Sequence, residues 1–158
     1  MSASIDFPIP SPARNTTPVP RPRPLRPVQV PLPLPPASAV ALLKQARDGL
    51  DEAERAAEPA ERFATAHLSA LRAAAAVLAL RGRPHRGRAK PASVWVLLTS
   101  VAPELREWAA FFASGSATRA AVQAGITRLV TQRSADDLVR QTGEFLLLID
   151  RIMYEARR

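Results

Sequence analysis

Residues 61–81, ERFATAHLSALRAAAAVLALR, decide the fold of this 158-residue chain. Spaced at 100° per residue, the apolar side chains and one histidine fall in a single broad stripe, as in an amphipathic helix with a buried face. The stripe contains Phe63, His67, Ala70, Leu71, Ala74, Val77 and Leu78. The alanines allow neighbouring helices to approach closely. We therefore predict a central helix over about 59–81, begun by Pro59, whose missing N–H has no helical partner at that position.

The composition of the whole chain favours an all-α fold. Hydrophobic residues make up 47% of the chain but aromatic residues only 5%, and 30 alanines, which favour helices, supply much of the apolar content. Apolar periodicity predicts four further helical segments. The first spans 38–57, with Ser38 as N-cap and an inward face formed by Val40, Leu43, Ala46, Leu50 and Ala53. The second spans 93–114 and is either kinked or restarted at Pro103, the third spans 117–130 with a break at Gly125, and the last is capped within 134–137. The expected architecture is a bundle of four to five helices.

The N-terminal residues differ in composition from the rest. Twelve of the 16 prolines fall before Ala37. Proline removes a backbone donor and favours extended geometry, so we predict a disordered, Pro/Arg-rich arm at 1–37 and one helical domain at 38–158. The arm's PRPRPLRP has the PxxP spacing that suits an aromatic-lined groove, and a semi-rigid linker is the alternative.

The formal net charge of +8 comes mainly from residues 1–37, which contribute +3, and from one short segment after the central helix. Residues 81–90 contribute +5, whereas residues 91–158 contribute only +1. Cations grouped in this way bind phosphates, so the segment is a candidate nucleic-acid site, although it lacks aromatic residues for base stacking. The candidate residues are Arg81, Arg83, His85, Arg86, Arg88 and Lys90. A solvated basic loop is the alternative.

The chain carries few residues that bind metals or cofactors. It has no cysteine and two histidines, which excludes disulfides and cysteine zinc sites. It has no P-loop and no dinucleotide fingerprint, so we expect neither a metal nor a cofactor. It also shows no signal-peptide pattern and no uncharged apolar run of membrane length. We therefore expect a cytoplasmic protein without a membrane partner.

A longer pattern adds a family resemblance. ERFATAHLSALRAAAAVLALRGRPHRGR (61–88), SVWVLL (93–98), PELREWAAFFASGS (103–116) and AGITRLV (124–130) together resemble the HEPN domain superfamily, and within it a small family of actinobacterial HEPN proteins. The resemblance covers about residues 38–155. It implies a compact, all-α, up-and-down bundle that is frequently homodimeric. It also implies either RNA cleavage in toxin and defence systems, or partnership with minimal nucleotidyltransferases, and members without catalytic residues serve as binding or scaffolding domains.

Arg62 and His67 match the arginine and histidine of active HEPN ribonucleases, which are separated by four to six residues. The resemblance implies a metal-independent site in which His67 acts as general acid or base and Arg62 stabilises the phosphate. Phe63, however, stands where the active motif is usually polar, and the pair lies earlier in the bundle than usual. On a continuous helix the two side chains diverge by about 140° and about 7.5 Å along the axis, so only a homodimer could join them. A hydrogen-bonded core histidine is the ordinary explanation for His67.

Two functions follow from these residues. We predict a HEPN-like domain that acts mainly through protein contacts and not as an enzyme, with RNA or other nucleic acid contacted by the basic loop 81–90. The alternative is a metal-independent endoribonuclease of a toxin or stress system, with a composite Arg62/His67 site in a homodimer.

Overall fold

The helices pack around α2 in a computed structural model that describes residues 34–82 and 92–158. The elements are α1 (Ala37–Arg55), α2 (Pro59–Arg81), α3 (Val94–Val101), a 3-10 turn (Pro103–Leu105), α4 (Arg106–Ser114), α5 (Ser116–Gln123) and α6 (Gln132–Glu155). No β-strand occurs within these two ranges. The all-α prediction is confirmed, and since only Gly115 separates α4 from α5, the two form one bent helix of the predicted bundle. The predicted arm lies outside the described residues up to position 33, and the domain boundary stays a prediction.

The central helix has the predicted bounds. Pro59 occupies its first turn, where the missing N–H leaves no bond unmade. Gly82 ends it with φ of 87°, in the left-handed region that favours glycine, and its N–H donates to the carbonyl of Leu78 at 2.9 Å.

Small side chains bring α1 and α2 close together. A Cβ atom added to Gly49 would lie 3.5 Å from the Cβ of Ser69, and the Ser69 hydroxyl donates to the carbonyl of Ala46 on α1. The α2 residues buried against the neighbouring helices are Ala60, Phe63, Ala66, His67, Ser69, Ala70, Ala73, Ala74, Ala76, Val77 and Leu78. Because α2 is buried on most of its circumference, it is the core of the bundle.

Two predicted helix starts are corrected. The sequence predicts Ser38 as the cap of α1, but Pro36 precedes the helix without a side-chain cap, and Val40, expected to face inward, is 39% exposed while Ala39 is buried. At α6 the cap is Thr131, ahead of the expected 134–137. Its Oγ1 accepts from the N–H of Ser134 at 3.0 Å, and Ser134 Oγ accepts from the N–H of Thr131 at 3.0 Å. This reciprocal capping box satisfies two backbone donors at once.

The segment between α3 and α5 carries the aromatic core. Pro103 starts a new element, because the chain passes from α3 through a 3-10 turn into α4. Phe112 on α4 packs against Trp95 and Phe145, with ring centroids 5.3 and 5.0 Å away. Trp108 in turn contacts Phe145 at 5.5 Å. These contacts tie α3, α4 and α6 together around one side of α2.

One described helix, α2, is long and apolar enough by composition to cross a membrane, and 56% of the relevant stretch is buried within the bundle. A core helix surrounded by partners passes the same test of length and composition. The finding therefore agrees with the role of α2 as the centre of the fold.

The close packing of α2 predicts a steep cost for added volume. Ala74 is completely buried, so Ala74→Leu should lower the free energy of unfolding by about 1–3 kcal/mol, since the extra carbons must displace packed neighbours. The same change at exposed Ala41 on α1 should stay within about 0.5 kcal/mol. Urea denaturation of both variants measures the difference, and equal effects would show that α2 is not closely packed.

Candidate functional site

Arg62 binds the end of α1. Its Nη1 donates to the carbonyl of Glu54 at 2.9 Å and to that of Ala56 at 3.4 Å. The last carbonyls of a helix have no partner within the helix, so this guanidinium satisfies groups that the helix itself leaves open. Its Nε lies 2.9 Å from Oδ1 of Asp136 on α6 and forms an ion pair with it. The N–H does not point at this oxygen, so the pair is not a hydrogen bond. Arg62 therefore joins α1, α2 and α6.

His67 is completely buried beneath the α4–α5 bend. Its Nε2 lies 2.8 Å from the carbonyl oxygen of Phe112. A carbonyl oxygen only accepts hydrogen bonds, so Nε2 carries the proton and donates. The other ring nitrogen, Nδ1, is buried and bonds to none of the described residues. Neither nitrogen faces solvent.

The carbonyl of Phe112 marks the place where α4 ends. It accepts the N–H of Gly115 at 3.0 Å as well as the imidazole of His67. In a continuing α-helix it would accept the N–H of Ser116 instead. A Cβ on Gly115 would lie only 3.1 Å from Cδ2 of His67. Glycine at the bend thus lets the chain turn directly over the imidazole.

Aromatic rings enclose the imidazole on its other sides. Trp95 and Phe112 meet it edge-on, with centroids 5.9 and 6.3 Å away, and Phe63 lies parallel to it at 6.5 Å. Apolar surroundings of this kind disfavour a charged ring.

The environment of His67 lowers its pKa. Burial is the main cause, because it removes water from the charged form, and the positive charge of Arg119 acts in the same direction. The hydrogen bond to Phe112 opposes both and raises the pKa. Burial prevails, so the imidazole is neutral at neutral pH.

The two motif residues therefore serve two different helix ends. Arg62 satisfies carbonyls at the end of α1, and His67 satisfies one at the end of α4. No described contact joins them, as the predicted divergence along α2 requires. Both side chains donate hydrogen bonds to backbone carbonyls at the C-terminal end of a helix.

A surface groove of about 310 Å³ lies beside the pair. It is lined by Phe63, Phe111, Ser114, Gly115, Thr118, Ser134, Asp137 and Leu138. Neither Arg62 nor His67 lines it. Within 34–82 and 92–158, no group of three or more His, Asp or Glu side chains is placed to hold a metal ion.

Of the six candidate nucleic-acid residues, only Arg81 is described. Its guanidinium pairs with Glu104 and lies 3.4 Å from the carbonyl of Val101. The pKa of Glu104 is lowered, first by its own backbone N–H and then by Arg81. Arg81 is thus occupied at the junction of α2 with the 3-10 turn. The other five, Arg83, His85, Arg86, Arg88 and Lys90, lie outside the described residues.

Sequence reasoning missed the partners of the motif residues. Phe112 contributes a backbone carbonyl, which every residue type has, so the sequence gives no signal of this contact. The sequence predicts Gly115 only as the end of a helix. Asp136 is predicted only as part of a cap. The glycine between two serines is the one available signal, since glycine permits close approach as well as a bend.

The described residues form an all-helical bundle built on α2, and the sequence between α2 and α3 is rich in cations. Residues 53–150 match the model of the SAV_6107-like HEPN family, and the chain belongs to that family. The predicted superfamily is confirmed. No curated protein and no solved structure was found to match the chain.

The lowered pKa of His67 makes stability depend on pH. Below about pH 6.5 the unfolded chain takes up a proton at this residue while the folded protein does not. The free energy of unfolding should therefore fall as the pH drops from about 6.5 towards the lowered pKa of the folded state. His67→Gln keeps an amide donor for the Phe112 carbonyl but does not titrate.

Urea denaturation between about pH 5 and 8 measures the effect. The wild type should lose more stability than His67→Gln over the acidic part of this range. Parallel curves for the two proteins would contradict a buried, neutral imidazole.

Proposed function

We propose that this protein is a cytoplasmic, non-catalytic helical domain that acts through protein contacts, including contacts with a second copy of itself. The burial of His67 carries the proposal. A histidine that acts on a ribose 2′-hydroxyl must come within about 2.6–3.2 Å of it. His67 is 0% exposed, and its protonated nitrogen is already bonded to Phe112.

The position of Arg62 supports the same conclusion. An arginine that stabilises a phosphate must present free N–H groups towards it. Arg62 directs Nη1 to the end of α1 and lies against Asp136. Moving it towards a phosphate would break its hydrogen bonds to the carbonyls of Glu54 and Ala56.

Homodimer formation alone does not restore a composite site. A second copy can supply an arginine from outside, but His67 is covered by groups of its own chain, namely Trp95, Phe112 and Gly115. Exposing the imidazole would require the α4–α5 bend to lift off α2. For this reason the endoribonuclease alternative is not favoured.

The proposal predicts that the purified protein does not cleave single-stranded RNA in the presence of a metal chelator. A labelled oligonucleotide separated on a gel after prolonged incubation measures cleavage, with a metal-independent ribonuclease as positive control. His67→Gln is the matched variant. Cleavage by the wild type that is lost in His67→Gln would show that the histidine is catalytic and would overturn the proposal.

Contact with RNA or other nucleic acid through the basic loop is the second part of the proposal. Its support is the run of five cations without an acidic residue in 81–90. Arg81 pairs with Glu104, so the proposal is tested on the other four cations of this segment. Such binding releases counterions and weakens as salt increases.

Neutralising Arg83, Arg86, Arg88 and Lys90 to Gln should weaken binding to single-stranded RNA and flatten its dependence on salt, by a slope of about 0.7 for each phosphate that the loop no longer neutralises. Fluorescence anisotropy across a salt series measures both. The matched control changes four exposed arginines elsewhere, Arg128, Arg133, Arg151 and Arg157, to Gln. Equal weakening by the two sets would show that net charge, not the loop, governs binding.

A further inference from the structure

A cleft of about 290 Å³ lies between α1 and α6, apart from the groove beside the two motif residues. The two helices run antiparallel along it. Arg47 of α1 pairs with Asp150 of α6, and one turn later on α1, Leu50 lies beside Gly143. Small-molecule sites in proteins begin at about 300 Å³. At about 30 Å³ for a water-sized group, the cleft accommodates about ten non-hydrogen atoms.

The floor of the cleft is apolar. Leu43 on α1 and Met153 on α6 line it and are buried. Val40, one turn before Leu43, also lines the cleft and is 39% exposed. An apolar group that covers these side chains removes their surface from water, which favours binding. The cleft therefore fits a ligand with an apolar body.

The charged residues that line the cleft leave one positive charge in excess. Arg47 and Asp150 pair with each other. Arg157 lies two turns beyond Asp150 and forms none of the ion pairs found among the described residues. α1 begins at the same end of the cleft with neither a side-chain cap nor an acidic residue in its first turn, so no carboxylate of the helix neutralises the positive end of its dipole. An anionic group is therefore favoured near Arg157.

Charges around the rim of the cleft do not reverse this excess. Lys44 pairs with Asp48, one turn along α1, at 2.7 Å. On α6, Glu155 lies between Arg151 and Arg158, four residues after the one and three residues before the other. The acidic residues of the rim are thus matched by cations, and the surroundings of the cleft favour an anion over a cation.

Tyr154 adds a neutral donor to the cleft, which it lines. Its hydroxyl accepts a hydrogen bond from Nη2 of Arg158 at 3.2 Å. A hydroxyl that accepts one hydrogen bond keeps its own hydrogen for another acceptor. Tyr154 and Arg157 are three residues apart on the same side of α6. They are therefore two donors for one anionic group.

The size of the positive excess selects the kind of anion. A carboxylate carries a single negative charge, whereas a phosphate monoester carries about 1.5 to 2 near pH 7. A guanidinium and a carboxylate are both planar and pair through two parallel hydrogen bonds. A carboxylate therefore matches the single unpaired arginine of the cleft better than a phosphate does.

We infer that the cleft between α1 and α6 binds a small monocarboxylate with an apolar body, of the size of a fatty acid with about eight carbons. The carboxylate pairs with Arg157 and accepts the hydroxyl of Tyr154, and the apolar body covers Val40, Leu43 and Met153. This contact uses neither of the two motif residues nor the basic loop. The inference therefore goes beyond the proposed function and is tested separately from it.

Octanoate, which has the expected size and charge, is the probe. Tyr154 is the only tyrosine of the chain, so the NMR signals of isotope-labelled tyrosine report on this cleft alone. Titration of octanoate into the full chain should shift these signals to saturation, with a dissociation constant of about 0.1–1 mM for so small a ligand. Signals that do not shift up to about 10 mM octanoate would overturn the inference.

Two variants test the charge of the cleft. Arg157→Gln should raise the dissociation constant about tenfold, because it removes a charge-assisted hydrogen bond. Val40→Asp should raise it about tenfold or more, because it places a carboxylate beside that of the ligand. An acidic residue near the start of α1 interacts favourably with the helix dipole, so Val40→Asp should fold as stably as the wild type, and urea denaturation checks this.

Matched controls make the same changes elsewhere. Arg133→Gln alters an exposed arginine at the other end of α6, and Val96→Asp alters an exposed valine in the first turn of α3. Both should keep the wild-type dissociation constant. Octanol and octyltrimethylammonium lack the negative charge and acetate lacks the chain, so each should bind at least about tenfold more weakly than octanoate. Equal weakening by the control variants, or equal binding of any of these three compounds, would each contradict the inference.

Discussion

The carbonyl oxygen of Phe112 is the point on which the arrangement of this bundle depends. It receives the N–H of Gly115, which turns the chain, and the imidazole of His67, which fixes that turn to α2. The Phe112 ring extends from the same residue into the aromatic cluster with Trp95 and Phe145. One residue therefore ends α4, begins the bend into α5 and anchors three helices. A buried carbonyl without these donors would cost about 1–3 kcal/mol.

The arginine and histidine on α2 show how little residue type says about chemistry. Both residue types occur in sites that cleave phosphodiester bonds, and their spacing in the sequence matches the motif of active HEPN ribonucleases. Arg62 and His67 instead complete the hydrogen bonds of helix ends, where cationic and N–H-bearing side chains are favourable partners for carbonyls. Burial and the direction of each side chain separate the two roles. Membership of the SAV_6107-like HEPN family fixes the fold of the domain and leaves the activity of each member to its own site.

The parts of the fold governed by local chemistry were predictable. Pro59 and Gly82 bound α2 as expected, and the burial of His67 follows from the period of the apolar stripe. The start of α1 was misplaced because this helix begins after Pro36 without any side-chain cap, so a capping residue does not mark it. The start of α6 was misplaced because Thr131 and Ser134 are both good capping residues, and Thr131 is the one that caps. The contact of His67 with Phe112 spans 45 positions and uses a backbone atom. No pattern of side chains encodes such a contact.

The position of α2 early in the chain determines when its buried surface can be covered during synthesis. α2 has the length and apolar character of a membrane-spanning helix, and the chain that covers it arrives later, with α3 to α5 first and α6 last. Until α6 has left the ribosome, the side of α2 that packs against α6 is exposed to water or bound by a chaperone. The nascent chain therefore exposes apolar surface of α2 in the interval after α2 has emerged and before α6 has, and such exposed surface promotes aggregation. α1 is synthesised before α2 and packs along it, so it is able to cover one side of α2 as soon as α2 emerges.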